Sequence, residues 1–346
     1  MNWNKRWRTC FALVLLFAVI FTQPGCSLQP KDEKLPVKVL ILPKFEVGEM
    51  SGDFPGEAQY FYEGYLADGD VYEVEGALNS DKLYYKDGVA MFLLGQGKVS
   101  AALNISAVLS DKHFDFSDTY ILGVGCGGAA RDYGIFGDVF VITAAVDYDL
   151  GHKADARELT DKSRTSWFHD ESFDDTAFVL LDQKLTDRVY QMAENVPLET
   201  TPKTDEFLRR EYTGEAWAQR QPKVLRGTAL SGDNYWKGIY DHQNALLITE
   251  TYQCKDPFAI TEMEDVATGL TAQAFGMLDR LIILRTAVNM DVFSAGTTPE
   301  MLWSDNPDDH IASEDSMESV DIFDTAMKNC FDVGKVLIDA ILKGDF

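Results

Sequence analysis

Val89-Ala-Met-Phe-Leu-Leu-Gly-Gln-Gly-Lys98 reads as an apolar strand broken by two glycines and followed by a helix, because Val99, Leu103 and Ala107 then recur at helical spacing as far as Leu109. The same order returns at Leu122-Gly-Val-Gly-Cys-Gly-Gly-Ala129, where the buried run Thr119 to Val124 enters a glycine turn. Gly137-Asp-Val-Phe-Val-Ile142 opens the next strand. Strands alternating with helices in this way predict an α/β chain built on a central mixed, mostly parallel sheet with helices on its faces. Upstream, Val37-Lys-Val-Leu-Ile-Leu42 is a first buried strand stopped by Pro43. The loop Phe45 to Gly56 leaves its C-terminal end, where α/β proteins bind ligands.

Outward from these strands the pattern is simpler. Glu57 to Leu66 suits a short aromatic helix, and Val71 to Leu83 suits strand and turn. Residues 150–224 read as an irregular insertion with one helix candidate, Thr176 to Glu194. Val224 to Ala229, Ala245 to Glu250 and Leu281 to Val288 read as further strands, with a helix from about Thr261 to Phe275 between the last two. An acidic loop, Asp305 to Asp321, precedes a closing amphipathic helix that packs Ile322, Val333, Val336, Leu337 and Ile341.

Composition limits the partners. A chain of 346 residues with 46% hydrophobic content can bury a large core. Its net charge of −25 repels phosphate backbones, which argues against nucleic acid and anionic membranes and requires a local positive site for any small anion. The N-terminus carries Lys5, Arg6 and Arg8, then an uncharged, mostly apolar run from Thr9 to Thr22 that is short for a membrane span, so residues 1–26 are expected to be a secretory signal. Gln23-Pro-Gly-Cys26-Ser27 resembles a relaxed bacterial lipobox, and ordinary cleavage is the alternative to lipidation of Cys26. The protein is thus expected to be exported, periplasmic or membrane-anchored as a lipoprotein, with 27–36 as a tether and 37–346 as one domain. Cys126, Cys254 and Cys330 are too few and scattered for a disulfide framework, and no C-x-x-C pair suggests a metal.

No Walker loop, G-x-S-x-G elbow or H-E-x-x-H is present. The glycines at 123, 125, 127 and 128 lack the dinucleotide register; they suit either close approach to a ligand or tight packing. The ordered set Met91 to Lys98, Gly123 to Gly128, Gly137-Asp138, Ser231-Gly-Asp-Asn-Tyr235, Met263-Glu264 and Arg285-Thr-Ala-Val-Asn289 resembles the nucleoside phosphorylase and nucleosidase superfamily. Val39 to Glu46, Phe54-Pro-Gly-Glu-Ala-Gln-Tyr60, Ser231 to Trp236 and Arg285 to Asp291 bring it closer to the purine nucleoside permease (NUP) family, over about Leu35 to Phe346.

That resemblance implies a three-layer α/β/α phosphorylase-like fold and a purine nucleoside ligand. It implies Glu264 as the acceptor of ribose hydroxyls, Met263 beneath the sugar and Tyr235 against the base, with Gly125 and Gly127 at the pocket wall. Glu262 and Glu264, placed on one helix, would be about 200° apart and could not both face the site. Asn289 stands where nucleosidases place a catalytic aspartate; its amide can bond a purine edge but cannot supply a proton, leaving Asp291 or Asp233 for the acid role. Phosphate, as a co-substrate, would depend on Lys44, Arg131 and Arg285. Phosphorolysis, hydrolysis and non-catalytic binding in nucleoside transport are all implied activities, with a lipid anchor, a membrane transporter or a second copy as partners.

Overall fold

In the computed structural model the described residues are 34–346, except 79, 162, 213–215, 295–296 and 303–316. The expected signal at 1–26, most of the tether and most of the acidic loop lie outside them. The strands are β1 (Leu35–Pro36), β2 (Val39–Leu42), β3 (Asp70–Glu73), β4 (Lys82–Lys86), β5 (Val89–Phe92), β6 (Phe114–Asp115) and β7 (Tyr120–Ala129). They continue with β8 (Val139–Asp147), β9 (His152–Lys153), β10 (Trp167–Phe168), β11 (Phe178–Leu180), β12 (Val224–Ser231), β13 (Phe258–Glu262) and β14 (Leu281–Met290).

The central sheet runs β11-β8-β12-β13-β7-β2-β5-β4-β3, and β14 pairs with both β7 and β8. Strands β7, β14, β8, β12 and β13 therefore pair in a closed circuit. The sheet is mixed but not mostly parallel. Its pairings β2–β5, β2–β7, β7–β14, β8–β12 and β12–β13 are parallel, whereas β3–β4, β4–β5, β7–β13, β8–β11 and β8–β14 are antiparallel. Alternation of strands and helices predicts crossovers, but an apolar strand carries no mark of direction, and the hairpin β3–β4–β5 and the return of β14 beside β8 are tertiary choices.

Both sheet faces are covered. Leu40 and Leu42 of β2 pack in one apolar cluster with Ile105 and Val266, while Val39 and Ile41, on the opposite side of the pleat, pack in another with Phe61, Val333 and Leu337. The helix Lys98–Leu109 forms where periodicity puts it but buries the other face. Ala101, Asn104, Ile105 and Val108 are inside, and Val99 and Leu103 are exposed. An i, i+3, i+4, i+7 stripe exists on that side too, and the facing helix Asp265–Ala274 selects it. In the closing helix Met317–Lys343, Ile322, Val333, Leu337 and Ile341 are buried as expected, but Val336 is exposed.

The expected strand Ala245 to Glu250 lies instead inside the helix Ile239–Thr251. Its buried positions His242, Ala245, Ile248 and Thr249 follow a helical period, which a short apolar run cannot distinguish from a buried strand. Thr176 to Glu194 divides into β11, paired with β8, and a helix Gln183–Ala193 whose N-cap Asp182 accepts from Leu185 N–H at 2.8 Å.

Candidate functional site

A cavity of about 210 Å³ opens where the C-terminal ends of β2, β5, β7, β12 and β14 meet the end of β13. This is where open α/β sheets gather ligands. Lys44 and Phe45 follow β2, Gln96 follows β5, Cys126 to Gly128 belong to β7, and Asn234 to Trp236 follow β12. Glu262, Met263 and Glu264 sit at the end of β13, and Asn289 near the end of β14.

The glycine run is not a turn. Strand β7 continues through Gly125 and Gly128 to Ala129, and the missing side chains make room for others. A Cβ on Gly125 would lie 2.8 Å from both Arg285 Nη1 and Glu57 Oε1, and one on Gly127 would lie 2.4 Å from the Thr261 carbonyl oxygen. Gly127 lines the cavity, while Gly125 stands behind it against the Arg285 and Glu57 side chains.

Arg285 is 1% exposed and organises the polar wall. Its Nε donates to both Asp265 oxygens at 3.0 Å, Nη1 donates to the Cys126 carbonyl at 2.9 Å, and Nη2 donates to Glu262 at 2.8 Å, Glu264 at 3.0 Å and Asp265 at 2.6 Å. Burial works against the guanidinium charge, but these carboxylates outweigh it and hold the arginine pKa well above its ordinary value. Glu262 and Glu264 both belong to the cavity wall and converge on the same Arg285 nitrogen, contrary to the helical-wheel expectation. The segment is still a strand at Glu262, and the helix begins only at Asp265, so a 100° step per residue does not apply.

The two glutamates have different surroundings. Glu262 Oε2 accepts from the Glu264 and Asp265 N–H groups at 2.6 and 2.7 Å, and Oε1 meets the Ser231 hydroxyl. Burial, reinforced by Asp265 and only partly opposed by Arg285, pushes its pKa up to about 7. Glu264 accepts from Gly97 N–H at 2.9 Å through Oε1 and from Arg285 through Oε2. A carboxylate has about four lone-pair directions, so Glu264 retains acceptor capacity toward the cavity.

Asn289 Nδ2 donates to the Tyr235 hydroxyl at 2.7 Å, which joins the two residues assigned to the base. The other two acid candidates point elsewhere. Asp291 is buried with Oδ2 at 2.6 Å from His242 Nδ1 and Oδ1 accepting from Arg131 N–H at 2.9 Å; burial raises its pKa against the pull of His242. Asp233 accepts from Lys98 N–H at 2.9 Å. Among the described residues that line the cavity, Asp233, Asp291 and Arg131 do not occur.

Of the cations assigned to phosphate, Arg131 has its Nε 3.7 Å from Asp132. Lys44 does line the cavity, and its buried Nζ donates to the Val124 carbonyl at 2.9 Å and the Leu42 carbonyl at 3.4 Å.

Glu57 was not among the predicted site residues. It lies in the cavity wall and accepts from Lys44 N–H and Cys126 N–H, each at 2.8 Å. Burial raises its pKa, with Lys44 and Arg285 opposing. Its only sequence signal was its place in Phe54-Pro-Gly-Glu57, because the Cys126 partner is 69 positions away. The Cys126 thiol is also pushed well above its usual pKa, by burial and then by Glu57, so it is not an activated nucleophile. Cys126, Cys254 and Cys330 are all free thiols.

Comparison with known proteins agrees with this architecture. A probable purine nucleoside permease of Schizosaccharomyces pombe is 27% identical over 277 residues, covering 73% of this chain and 76% of that protein. The purine nucleoside permease of Candida albicans is 28% identical over 218 residues, 57% of this chain and 53% of its own length. Among solved structures, the 5'-methylthioadenosine/S-adenosylhomocysteine nucleosidase of Neisseria meningitidis aligns with a TM-score of 0.53 at 14% identity, covering 88% of this chain and 99% of that one. The nucleosidase of Colwellia psychrerythraea, in complex with adenine, aligns with a TM-score of 0.54 at 15% identity, covering 89% and 97%. These likenesses establish a shared mixed α/β fold with the nucleosidases. The purine nucleoside permease (NUP) family model matches residues 36–345, and the chain belongs to that family.

Proposed function

We propose that the cavity recognises a purine nucleoside and that the protein serves nucleoside uptake. The observation that carries this reading is Glu264, a buried carboxylate fixed from behind by Gly97 and Arg285 with acceptor capacity left for sugar hydroxyls. Tyr235, Trp236 and Phe45 supply aromatic surface for a flat base, and the Asn289 amide matches the donor and acceptor edge of a purine. The names of the permease relatives and the nucleosidase neighbours support the same ligand class.

Phosphorolysis fits this wall least. Glu57, Glu262, Glu264 and Asp265 surround Arg285 and Lys44, and both cations already donate to protein acceptors. A phosphate dianion would meet an excess of negative charge. Hydrolysis is the second reading, favoured by Glu57, a buried carboxylate of raised pKa in the cavity wall. Binding without turnover is favoured at the base, where Asn289 cannot act as an acid and Asp291 and Asp233 face His242 and Lys98. No helix among the described residues is long and apolar enough to cross a membrane. Export by the Met1 to Cys26 leader, with lipid attachment at Cys26, would set this recognition outside the inner membrane beside a separate transporter.

Incubation of the purified protein with inosine, guanosine and adenosine, with and without phosphate, tests the reading when free base and binding heat are both followed. Binding without base release supports the uptake role, and phosphate-independent release supports hydrolysis. Phosphate-dependent release refutes the charge argument, and absence of binding by all three nucleosides refutes the proposal.

A further inference from the structure

Lys98, the first residue of the helix Lys98–Leu109, lies outside the cavity, one residue after the Gly97 amide that holds Glu264 and in contact with Asp233, which directly precedes the cavity-lining Asn234. Its Nζ donates to Asp147 Oδ1 and Oδ2 at 2.8 and 2.9 Å and to Asp149 Oδ2 at 2.9 Å, with Asp233 Oδ2 at 3.8 Å. The same Asp149 oxygen accepts from Asp233 N–H at 2.7 Å, and Asp233 Oδ1 accepts from Lys98 N–H at 2.9 Å. The preceding N–H, of Gly97, is the one that holds Glu264. Two consecutive amides at one helix start thus fix the carboxylate assigned to the sugar and the turn that carries Asn234, Tyr235 and Trp236 into the cavity. Burial lowers the Lys98 ammonium pKa, but the hydrogen bonds to Asp147 and Asp149 exceed that effect and raise it, so the cation persists through the neutral range.

We propose that Lys98 is a positioning residue that latches the Gly232-Asp-Asn-Tyr-Trp236 loop over the cavity and ties its placement to that of Glu264. The physical basis is the neutralisation of Asp147, Asp149 and Asp233. Without the ammonium, three carboxylates gathered at one point repel, and Asp233 is the most exposed of them, at 49%, and lies outside any strand or helix. Release of Asp233 carries Tyr235 away from Asn289, whose amide it meets at 2.7 Å. The effect on affinity rests on the cavity being a nucleoside site; the placement of the loop does not.

Lys98→Met in the full-length protein tests this, read by hydrogen exchange of residues 232–238 without ligand and by nucleoside affinity. Exchange in that segment is expected to rise while exchange in β7 and β14 stays unchanged. Affinity is expected to fall about tenfold, chiefly through faster dissociation, as when one partner of a hydrogen-bonded charge pair is removed. The loss should vanish in a Tyr235→Ala background, because Lys98 acts through that loop; a purely structural role would give the same loss in both backgrounds. Unchanged exchange, affinity within about twofold of wild type, or an undiminished loss beside Tyr235→Ala overturns the proposal. Raised exchange in a protein whose wild type binds no nucleoside supports the latch and refutes the nucleoside reading instead. Should Lys98→Met fail to fold, Asp233→Ala, which removes the acceptor of Lys98 N–H and the carboxylate beside the ammonium, is expected to raise exchange in the same segment and lower affinity in the same direction, and unchanged exchange overturns the proposal.

Discussion

Replacing Glu264 by glutamine separates ligand recognition from fold stability. The carboxylate accepts from Gly97 N–H at 2.9 Å and Arg285 Nη2 at 3.0 Å, which leaves acceptor directions toward the cavity. Glutamine has one acceptor oxygen, so with donors on both sides its amide NH2 must face either a donor or the sugar. At least one charge-assisted hydrogen bond to a ribose hydroxyl is lost, worth about 1.5–3 kcal/mol. At about 1.4 kcal/mol per decade this weakens nucleoside binding by roughly 10- to 150-fold. Arg285 keeps Glu262 and Asp265, so the fold should lose only about 1 kcal/mol, or roughly 1–2 °C in Tm. Calorimetric titration with the nucleoside and with its free base checks the assignment, since the base lacks the hydroxyls and should bind the variant nearly as it binds wild type. A Glu264→Gln protein that melts normally and binds the nucleoside as tightly as wild type would refute the sugar role, and an equal loss for the free base would move Glu264 to the base side.

Three further outcomes follow from the same wall. Gly125→Ala puts a methyl 2.8 Å from Arg285 Nη1 and Glu57 Oε1, and should cost about 1–3 kcal/mol in urea unfolding; an unchanged midpoint would show that the wall yields. Arg285→Met leaves Glu262, Glu264 and Asp265 without their shared cation and should cost about 3–5 kcal/mol at neutral pH, with the loss shrinking as acid protonates the cluster. Glu262 has a raised pKa in the folded protein, so the folded state keeps that proton to higher pH than the unfolded chain. Its contribution to stability therefore falls as pH climbs from the ordinary carboxylate range to about 7 and levels off above. Glu262→Gln, whose amide can donate to Ser231 while its oxygen still accepts from Glu264 and Asp265 N–H, should gain on wild type between pH 5 and 7.5. A pH-independent difference between the two would refute the assignment.

Much of the site was legible residue by residue. Glu264, Met263, Tyr235, Gly127 and Asn289 all reach the cavity. Tyr235, Gly127 and Asn289 lie at or beyond the ends of strands that their own apolar runs identify, whereas Met263 and Glu264 follow β13, a strand where a helix from about Thr261 was expected. Asp233 and Asp291 were equally close in sequence and do not line it. One residue along a strand or turn reverses the direction of a side chain, and Asp291 and Asp233 are captured by His242 and Lys98, partners 49 and 135 positions away. Glu57 was missed for the same reason.

By itself the sequence determined the apolar strands β2, β5, β7, β8, β12 and β14, the ordered family elements and the acidic character that disfavours polyanions, since periodicity and charge are local or additive properties. Tertiary structure decided strand direction, the burial of Ala101 and Ile105 rather than Val99 and Leu103, and the helical state of Ala245 to Glu250. It also changed the meaning of Gly125 to Gly128, from a turn to a strand cleared of side chains for Arg285, Glu57 and the Thr261 backbone. Glycine records only that space is needed, and what fills that space is set by chain segments far away in sequence.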